Sequence, residues 1–263
     1  MNRVIPLWQE HIPGFDPLLG QPAPSITLYP AEGAKGAVLV LPGGGYQYKA
    51  PHEGEPVARR FNEAGYFAAV LDYRVTPYRA PVPQWDALRA IQWLRFLAPE
   101  YGYRPDRVAI LGFSAGGHLA ASAACMDIAL PNAASADGPA GLNPRPDAAI
   151  LCYPVITLGE YTHEGSRDNL LGEGATPESI QRWSVERQLS PDTPPVFLWH
   201  TADDGAVPVQ NSLMLAQTLA EKRIPFSLHV WPHGHHGLGL AEETDDIRRW
   251  PDLAAEWLRQ LGF

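Results

Sequence analysis

Ser114 stands in the run Gly112-Phe113-Ser114-Ala115-Gly116, with Gly117 directly after it. The spacing fits G-x-S-x-G, the nucleophile elbow, in which a strand turns abruptly into a helix and holds a serine hydroxyl out on a strained backbone. Glycines two before and two after the serine let neighbouring chain segments pass closely. The flanks suit the motif: VAIL (108–111) leads in as a strand, and HLAASAA (118–124) leads out as a helix former. An ordinary glycine-rich turn is the alternative, and the strand-before, helix-after context argues against it. The chemistry open to such a serine is nucleophilic attack on a carbonyl carbon.

A serine hydroxyl is a weak nucleophile at neutral pH and needs a base beside it. Where the serine sits in an elbow, an acid and then a histidine follow it in the chain. Asp203 and Asp204 come just after the apolar run VFLWH (196–200), and Val207-Pro208 opens the next helical pattern. We favour Asp204, four residues past His200 and three before Val207, with Asp203 as the alternative because the strand end can fall one residue either way. The base belongs after the last strand-like run, FSLHVW (226–231), where the sequence offers Pro232-His233-Gly234-His235-His236-Gly237. His236, beside Gly237, is the choice; His233 and His235 read as polar loop residues and His229 as structural. A metal held by His233, His235 and Asp203 or Asp204 is a competing reading, since zinc takes such ligands. It would leave Ser114 unexplained, and neither an H-E-x-x-H helix nor a C-x-x-C pair is present. No metal and no cofactor is therefore expected.

Negative charge develops on the carbonyl oxygen as the serine attacks, so donors must already point there. Leu41-Pro42-Gly43-Gly44-Gly45-Tyr46 follows the run AVLVL (37–41) and supplies unhindered backbone amides. Gly44, Gly45 and the amide of Ala115 form the expected oxyanion hole. From their loop positions alone, Tyr46, Tyr153 and Trp183 are candidates to line a substrate pocket, although aromatics in such places are more often packing.

These positions require a particular scaffold. Strand-like runs fall at 37–41, 67–71, 108–113, 148–153, 196–200 and 226–231, several apolar on both faces, as strands of a covered parallel sheet must be. Residues 25–29 (SITLY) alternate more and read as an antiparallel edge strand. Helical patterns lie at 55–64, 84–97, 115–126, 209–222 and 252–261; in the second, Trp85, Leu88, Ile91, Leu94 and Leu97 make one apolar stripe. The alternation predicts a doubly wound, mostly parallel sheet of about eight strands flanked by helices, with a site above the C-terminal strand ends. Two stretches break the pattern. Residues 127–146 carry Pro131, Pro139, Pro144 and Pro146 and read as a loop, and 157–195 is a polar insertion with a weak helix near 178–185. The insertion is long enough for a lid, with a solvated surface excursion as the alternative.

The 263 residues, 45% hydrophobic and undivided by a linker, suit one domain over 1–263. The formal net charge of −9 argues against nucleic acid or an anionic membrane as partner and leaves a small molecule as the expected one. Oligomeric state is not legible. Cys125 and Cys152 each lie in an apolar run and read as buried free thiols. No apolar run reaches membrane-spanning length, and the first residues lack the apolar centre of a signal peptide, so a cytoplasmic location is expected.

Taken together, PGGGY (42–46), EGEPVA (53–58), LDYRV (71–75), GFSAGGHLAA (112–121), PPVFLWHTADDGAVPVQNSL (194–213) and GHHGLGLA (234–241) resemble the esterase branch of the α/β-hydrolase superfamily, related to acetyl xylan esterases and feruloyl-esterase-like proteins. The resemblance runs from about residue 4 to the C-terminus. It implies an α/β-hydrolase fold, a Ser114–Asp204–His236 triad working through an acyl-enzyme, and short-chain esters or acetylated oligosaccharides as substrates. One departure from the hormone-sensitive-lipase pattern is Pro42, where those enzymes carry the His of H-G-G-G. A prolyl-oligopeptidase-like peptidase and a non-catalytic ligand-binding relative are the alternatives.

Overall fold

The computed structural model describes residues 2–9, 11–131 and 138–263. Among them eight strands form one sheet: β1 (Val4–Pro6), β2 (Ser25–Tyr29), β3 (Ala37–Leu41), β4 (Phe67–Asp72), β5 (Val108–Phe113), β6 (Ala148–Cys152), β7 (Val196–Thr201) and β8 (Phe226–Trp231). Their spatial order is β1-β2-β4-β3-β5-β6-β7-β8. Strands β3 to β8 run parallel, while β2 pairs antiparallel with both β4 and β1. The sheet is thus doubly wound, and 25–29 lies antiparallel as its alternation indicated, but it is not the edge strand expected, because β1 pairs along its outer side. Strand β1 was not foreseen, because three residues ending in Pro6 are too few to show a period; proline is tolerated at such an edge.

Every residue of β3, β5, β6 and β7 is buried. Period-two alternation sends Leu39, Ile110, Leu151 and Leu198 into one apolar layer and Val40, Leu111, Ile150 and Phe197 into the other. The first layer is covered by α2 (Val82–Tyr101), α3 (Ser114–Cys125) and α6 (Gln210–Glu221), the second by α1 (Glu55–Glu63) and α7 (Trp250–Gln260). Helix α2 outruns its apolar stripe at both ends: Pro83 is accommodated in the first turn, and Gly102, at φ 76°, closes the last. Its buried Asp86 pairs with the equally buried Arg74 at 2.7 Å and accepts from the Trp8 indole at 3.2 Å, so neither charge is left unpaired. Both cysteines are buried and free.

The insertion carries α4 (Glu164–Leu171), which was not anticipated, and α5 (Pro177–Trp183), close to the expected weak helix. Leu158, Leu170 and Val185 anchor it, all fully buried in the first apolar layer. Of the proline-rich loop, residues 132–137 lie outside the described residues. No described helix is long and apolar enough to cross a membrane.

Candidate active site

Four loops meet above the C-terminal ends of the parallel strands, and each brings one part of the site. Ser114 follows β5 at φ +53°, a left-handed conformation that non-glycine residues rarely hold. The turn is tight: a Cβ on Gly112 would lie 2.1 Å from the carbonyl oxygen of Gly116. The strained elbow is therefore present in the backbone. Ser114 Oγ lies 2.8 Å from His236 Nε2, and His236 Nδ1 lies 2.7 Å from Asp204 Oδ2.

Asp204 is positioned by its own loop, since its Oδ1 accepts from the backbone amides of Ala206 and Val207, both at 2.9 Å. Burial opposes its charge. Hydrogen bonds from His200 and His236, the nearby His236 charge and the Val207 amide outweigh this and hold its pKa below the usual carboxylate range. A buried Asp204 thus stays ionised beside the imidazole. Asp203, the alternative, is exposed and turned away: it accepts from Gly234 N at 2.8 Å and pairs with His233 Nδ1 at 2.9 Å. His235 Nδ1 lies 2.8 Å from the carbonyl of His236. His229 packs between Phe197 and Trp231 within the sheet. Among the described residues, no three His, Cys, Asp or Glu side chains converge as metal ligands would.

The turn after β3 faces Ser114 and is held from several sides. Gly43 N donates to the buried Glu53 Oε2 at 2.7 Å, and Asn169 of α4 donates to the carbonyl of Gly45 at 2.8 Å. Gly44 sits at φ +125°, where a Cβ would come 2.3 Å from the Tyr48 carbonyl oxygen, so only glycine fits. Among the described residues, the amides of Gly44 and Gly45 donate to no protein acceptor. The Ala115 amide lies in the first turn of α3, where the helix itself has no partner for it. Gly44 and Gly45 border a cleft of about 380 Å³ whose lining also includes Tyr48, Glu53, Ser114, His163 and His236.

The expected pocket aromatics need correction, because none of them is among the cleft-lining residues. Tyr46 is buried, with its hydroxyl 2.8 Å from His118 Nδ1. Tyr153 is buried behind the site: it donates to Glu53 Oε1 at 2.6 Å, accepts from Gly239 N at 2.9 Å, and sets its ring edge-on to His236. Trp183 packs against the first apolar layer, and its carbonyl meets His118 Nε2 at 2.8 Å. Each phenol found a polar partner inside the protein, which draws its ring away from the cleft. Sequence reasoning passed over Glu53, His163 and Asn169. Glu53 lay within the matched EGEPVA run and was open to discovery there; His163 and Asn169 fall in the polar insertion, with no local motif to mark them.

A strained serine, an imidazole and a carboxylate on a doubly wound sheet define the class: an α/β-hydrolase. Residues 27–219 match the BD-FAE family, and the chain belongs to it. It is 38% identical over 246 residues to endo-1,4-beta-xylanase B of Butyrivibrio fibrisolvens, covering 90% of this chain and 38% of that protein. It is 30% identical over 224 residues to the acetylxylan esterase of Xylanibacter ruminicola, covering 83% of this chain and 44% of that protein. The chain thus spans less than half the length of either curated relative. Among solved structures, the acetyl ester-xyloside bifunctional hydrolase from Caldicellulosiruptor lactoaceticus matches at TM-score 0.93 and 43% identity, over 100% of this chain and 97% of that one. A carboxylesterase from Lactobacillus plantarum matches at TM-score 0.74 and 26% identity, over 90% and 93%. By fold and kinship this chain is an α/β-hydrolase of the BD-FAE family.

Proposed function

We propose that the chain hydrolyses short-chain acyl esters, acetyl esters foremost, and that its substrates are acetylated xylo-oligosaccharides or related carbohydrates. The observation that carries the triad is the unbroken chain from Ser114 Oγ through His236 to Asp204, at 2.8 and 2.7 Å, opening on a cleft bordered by Gly44 and Gly45. In this reading His236 takes the proton from Ser114 as Oγ attacks the ester carbonyl, and Asp204 fixes the ring with its hydrogen on Nδ1. The amides of Gly44, Gly45 and Ala115 stabilise the oxyanion. His236 then gives the proton to the departing alcohol, and water, deprotonated by the same ring, releases the acid from the acyl-serine.

The cleft supports the substrate class. Its lining includes Gln47, Tyr48, His52, Glu53, His163 and Asn169, and among the described residues no Val, Leu, Ile, Met or Phe. A long acyl chain gains about 0.8 kcal/mol for each methylene it buries on an apolar surface, and this lining brings no large aliphatic side chain to pack against one. A polyhydroxylated alcohol suits it better. The names of the xylan-linked relatives point the same way, and a net charge of −9 is compatible with a neutral sugar ester.

The test compares p-nitrophenyl acetate, butyrate and octanoate with acetylated xylo-oligosaccharides, using wild type and Ser114→Ala. The expected result is acetate release that falls with acyl length, efficient deacetylation of the sugar, and near-complete loss in the variant. Activity surviving in Ser114→Ala would overturn the triad, and preference for octanoate would overturn the short-chain reading. Faster cleavage of a prolyl amide than of an ester would move the chain to the peptidase alternative.

A further inference from the structure

We propose that His163 is a specificity-determining residue, whose Nε2–H donates a hydrogen bond to an oxygen of the carbohydrate that carries the acetyl group. The proposal rests on the carbohydrate-ester reading and adds a residue from the insertion to it.

The tautomer follows from the capping geometry. His163 precedes α4, and its Nδ1 accepts from the backbone amide of Ser166 at 3.1 Å, with Ser166 Oγ 2.9 Å from the same nitrogen. A backbone amide only donates, so Nδ1 carries no hydrogen and the neutral ring has its hydrogen on Nε2. Among the described residues, Nε2 has no protein partner. The ring lines the same cleft as Ser114 and His236, and its Cε1 lies 3.9 Å from where a Cβ on Gly45 would be. Burial first, and then the neighbouring charge of His236, push its pKa below the ordinary histidine value, so the ring stays neutral at neutral pH.

A half-buried donor facing a substrate cleft without a partner is poised to meet one there. It is not a second base for Ser114, whose hydroxyl is engaged by His236. The acyl half of an acetyl ester presents a carbonyl oxygen, directed to the Gly44, Gly45 and Ala115 amides, and a methyl group that accepts nothing. The bridging ester oxygen takes the proton of His236 as the alcohol leaves, so the acceptor for His163 comes from further along the alcohol half. A sugar supplies ring and hydroxyl oxygens near the ester; a p-nitrophenyl ring presents only carbon there. His163 should thus separate sugar esters from aryl esters.

The test is His163→Asn, which retains a good helix-capping side chain but is too short to reach the substrate. We expect kcat/KM for acetylated xylo-oligosaccharides to fall about 10-fold, chiefly through KM, the scale of one lost hydrogen bond. Turnover of p-nitrophenyl acetate should stay within about twofold, which also reports that the site is folded. His163→Phe, which keeps a ring but has no nitrogen, should show the same selective loss. Equal losses on both substrates would make His163 a packing and capping residue and overturn the proposal. So would sugar deacetylation unchanged in both variants. A wild-type enzyme that cleaves p-nitrophenyl acetate but ignores acetylated sugars would refute the carbohydrate reading itself, a result distinct from failure at His163 alone.

Discussion

His118 on α3 makes the stability of this fold depend on pH in a way that can be worked out from its contacts. The ring is fully buried, with Nε2 2.8 Å from the Trp183 carbonyl and Nδ1 2.8 Å from the Tyr46 hydroxyl. A carbonyl only accepts, so Nε2 holds the hydrogen and Nδ1 accepts from Tyr46. Protonating the ring would set a second hydrogen against the Tyr46 O–H and place a charge where, among the described residues, no carboxylate is in contact. Burial lowers its pKa from 6.5 to about 4, with the Trp183 hydrogen bond pulling modestly the other way. Above pH 6.5 neither the folded nor the unfolded chain takes a proton at this ring. Between 6.5 and about 4 the unfolded chain binds one and the folded chain does not, so stability falls by up to about 1.4 kcal/mol for each pH unit. Below about pH 4 the loss is complete, at about 3 kcal/mol.

Urea unfolding of wild type and His118→Gln at pH 7, 5.5 and 4 isolates this contribution, because acid effects elsewhere are common to both proteins. The variant is expected to be less stable at pH 7 and to close most of that gap, or reverse it, by pH 4. The two stability curves should approach each other by about 3 kcal/mol over that range. Parallel curves would refute the reasoning, since they would mean that the folded chain protonates His118 as readily as the unfolded one.

Three substitutions probe the site itself. Asp204→Asn can still accept from Ala206 and Val207 through its amide oxygen, so the loop should hold, but the imidazole is given the wrong tautomer. A loss of about 10⁴ in kcat is expected for p-nitrophenyl acetate, and a loss under tenfold would remove Asp204 from the triad. Gly44→Ala forces a Cβ towards the Tyr48 carbonyl at φ +125° and must displace the turn. We expect kcat to fall by about 10²–10³, as for a lost oxyanion donor, and kcat within threefold of wild type would count against Gly44 in that role. Glu53→Gln cannot accept from both the Gly43 amide and the Tyr153 hydroxyl while Tyr153 also accepts from Gly239. One buried donor is left unpaired, so urea unfolding should show a loss of about 1–3 kcal/mol; a change below about 0.5 would show that the network can rearrange freely.

The residues that converge on Ser114 were legible because each sits directly beyond a strand with its own local signal. The elbow glycines marked Ser114, and the ends of β7 and β8 marked the loops of Asp204 and His236. Choosing Asp204 over Asp203 was harder, for the two are adjacent. The structure separates them through the amides of Ala206 and Val207, which turn one carboxylate inward while Asp203 faces solvent with His233. The aromatics were misread for the opposite reason. Tyr46 and Tyr153 lie in loops at the correct end of the sheet, but their directions are set by partners 72 and 100 residues away, His118 and Glu53. No local pattern encodes such a pairing. Helix α4 escaped notice because it has only eight residues and is capped by histidine, outside the usual capping types.

The insertion is tied into the catalytic apparatus, and this bears on how the cleft opens. Asn169 grips the Gly45 carbonyl, and the Trp183 carbonyl fixes His118, which in turn accepts from the tyrosine following the glycines. From the opposite side Glu53 holds Gly43 and, through Tyr153, the Gly239 amide just beyond His236. The glycine turn is thus held from both sides, as preorganised stabilisation of an oxyanion under the proposed mechanism would require. Lifting the whole insertion as a lid would break the Asn169 bond and expose Leu158, Leu170 and Val185, each worth about 1.5–3 kcal/mol of burial. The same motion would release the Gly44–Gly45 turn. Substrate entry that leaves the turn in place is therefore much less costly, with the insertion serving as a wall that carries His163.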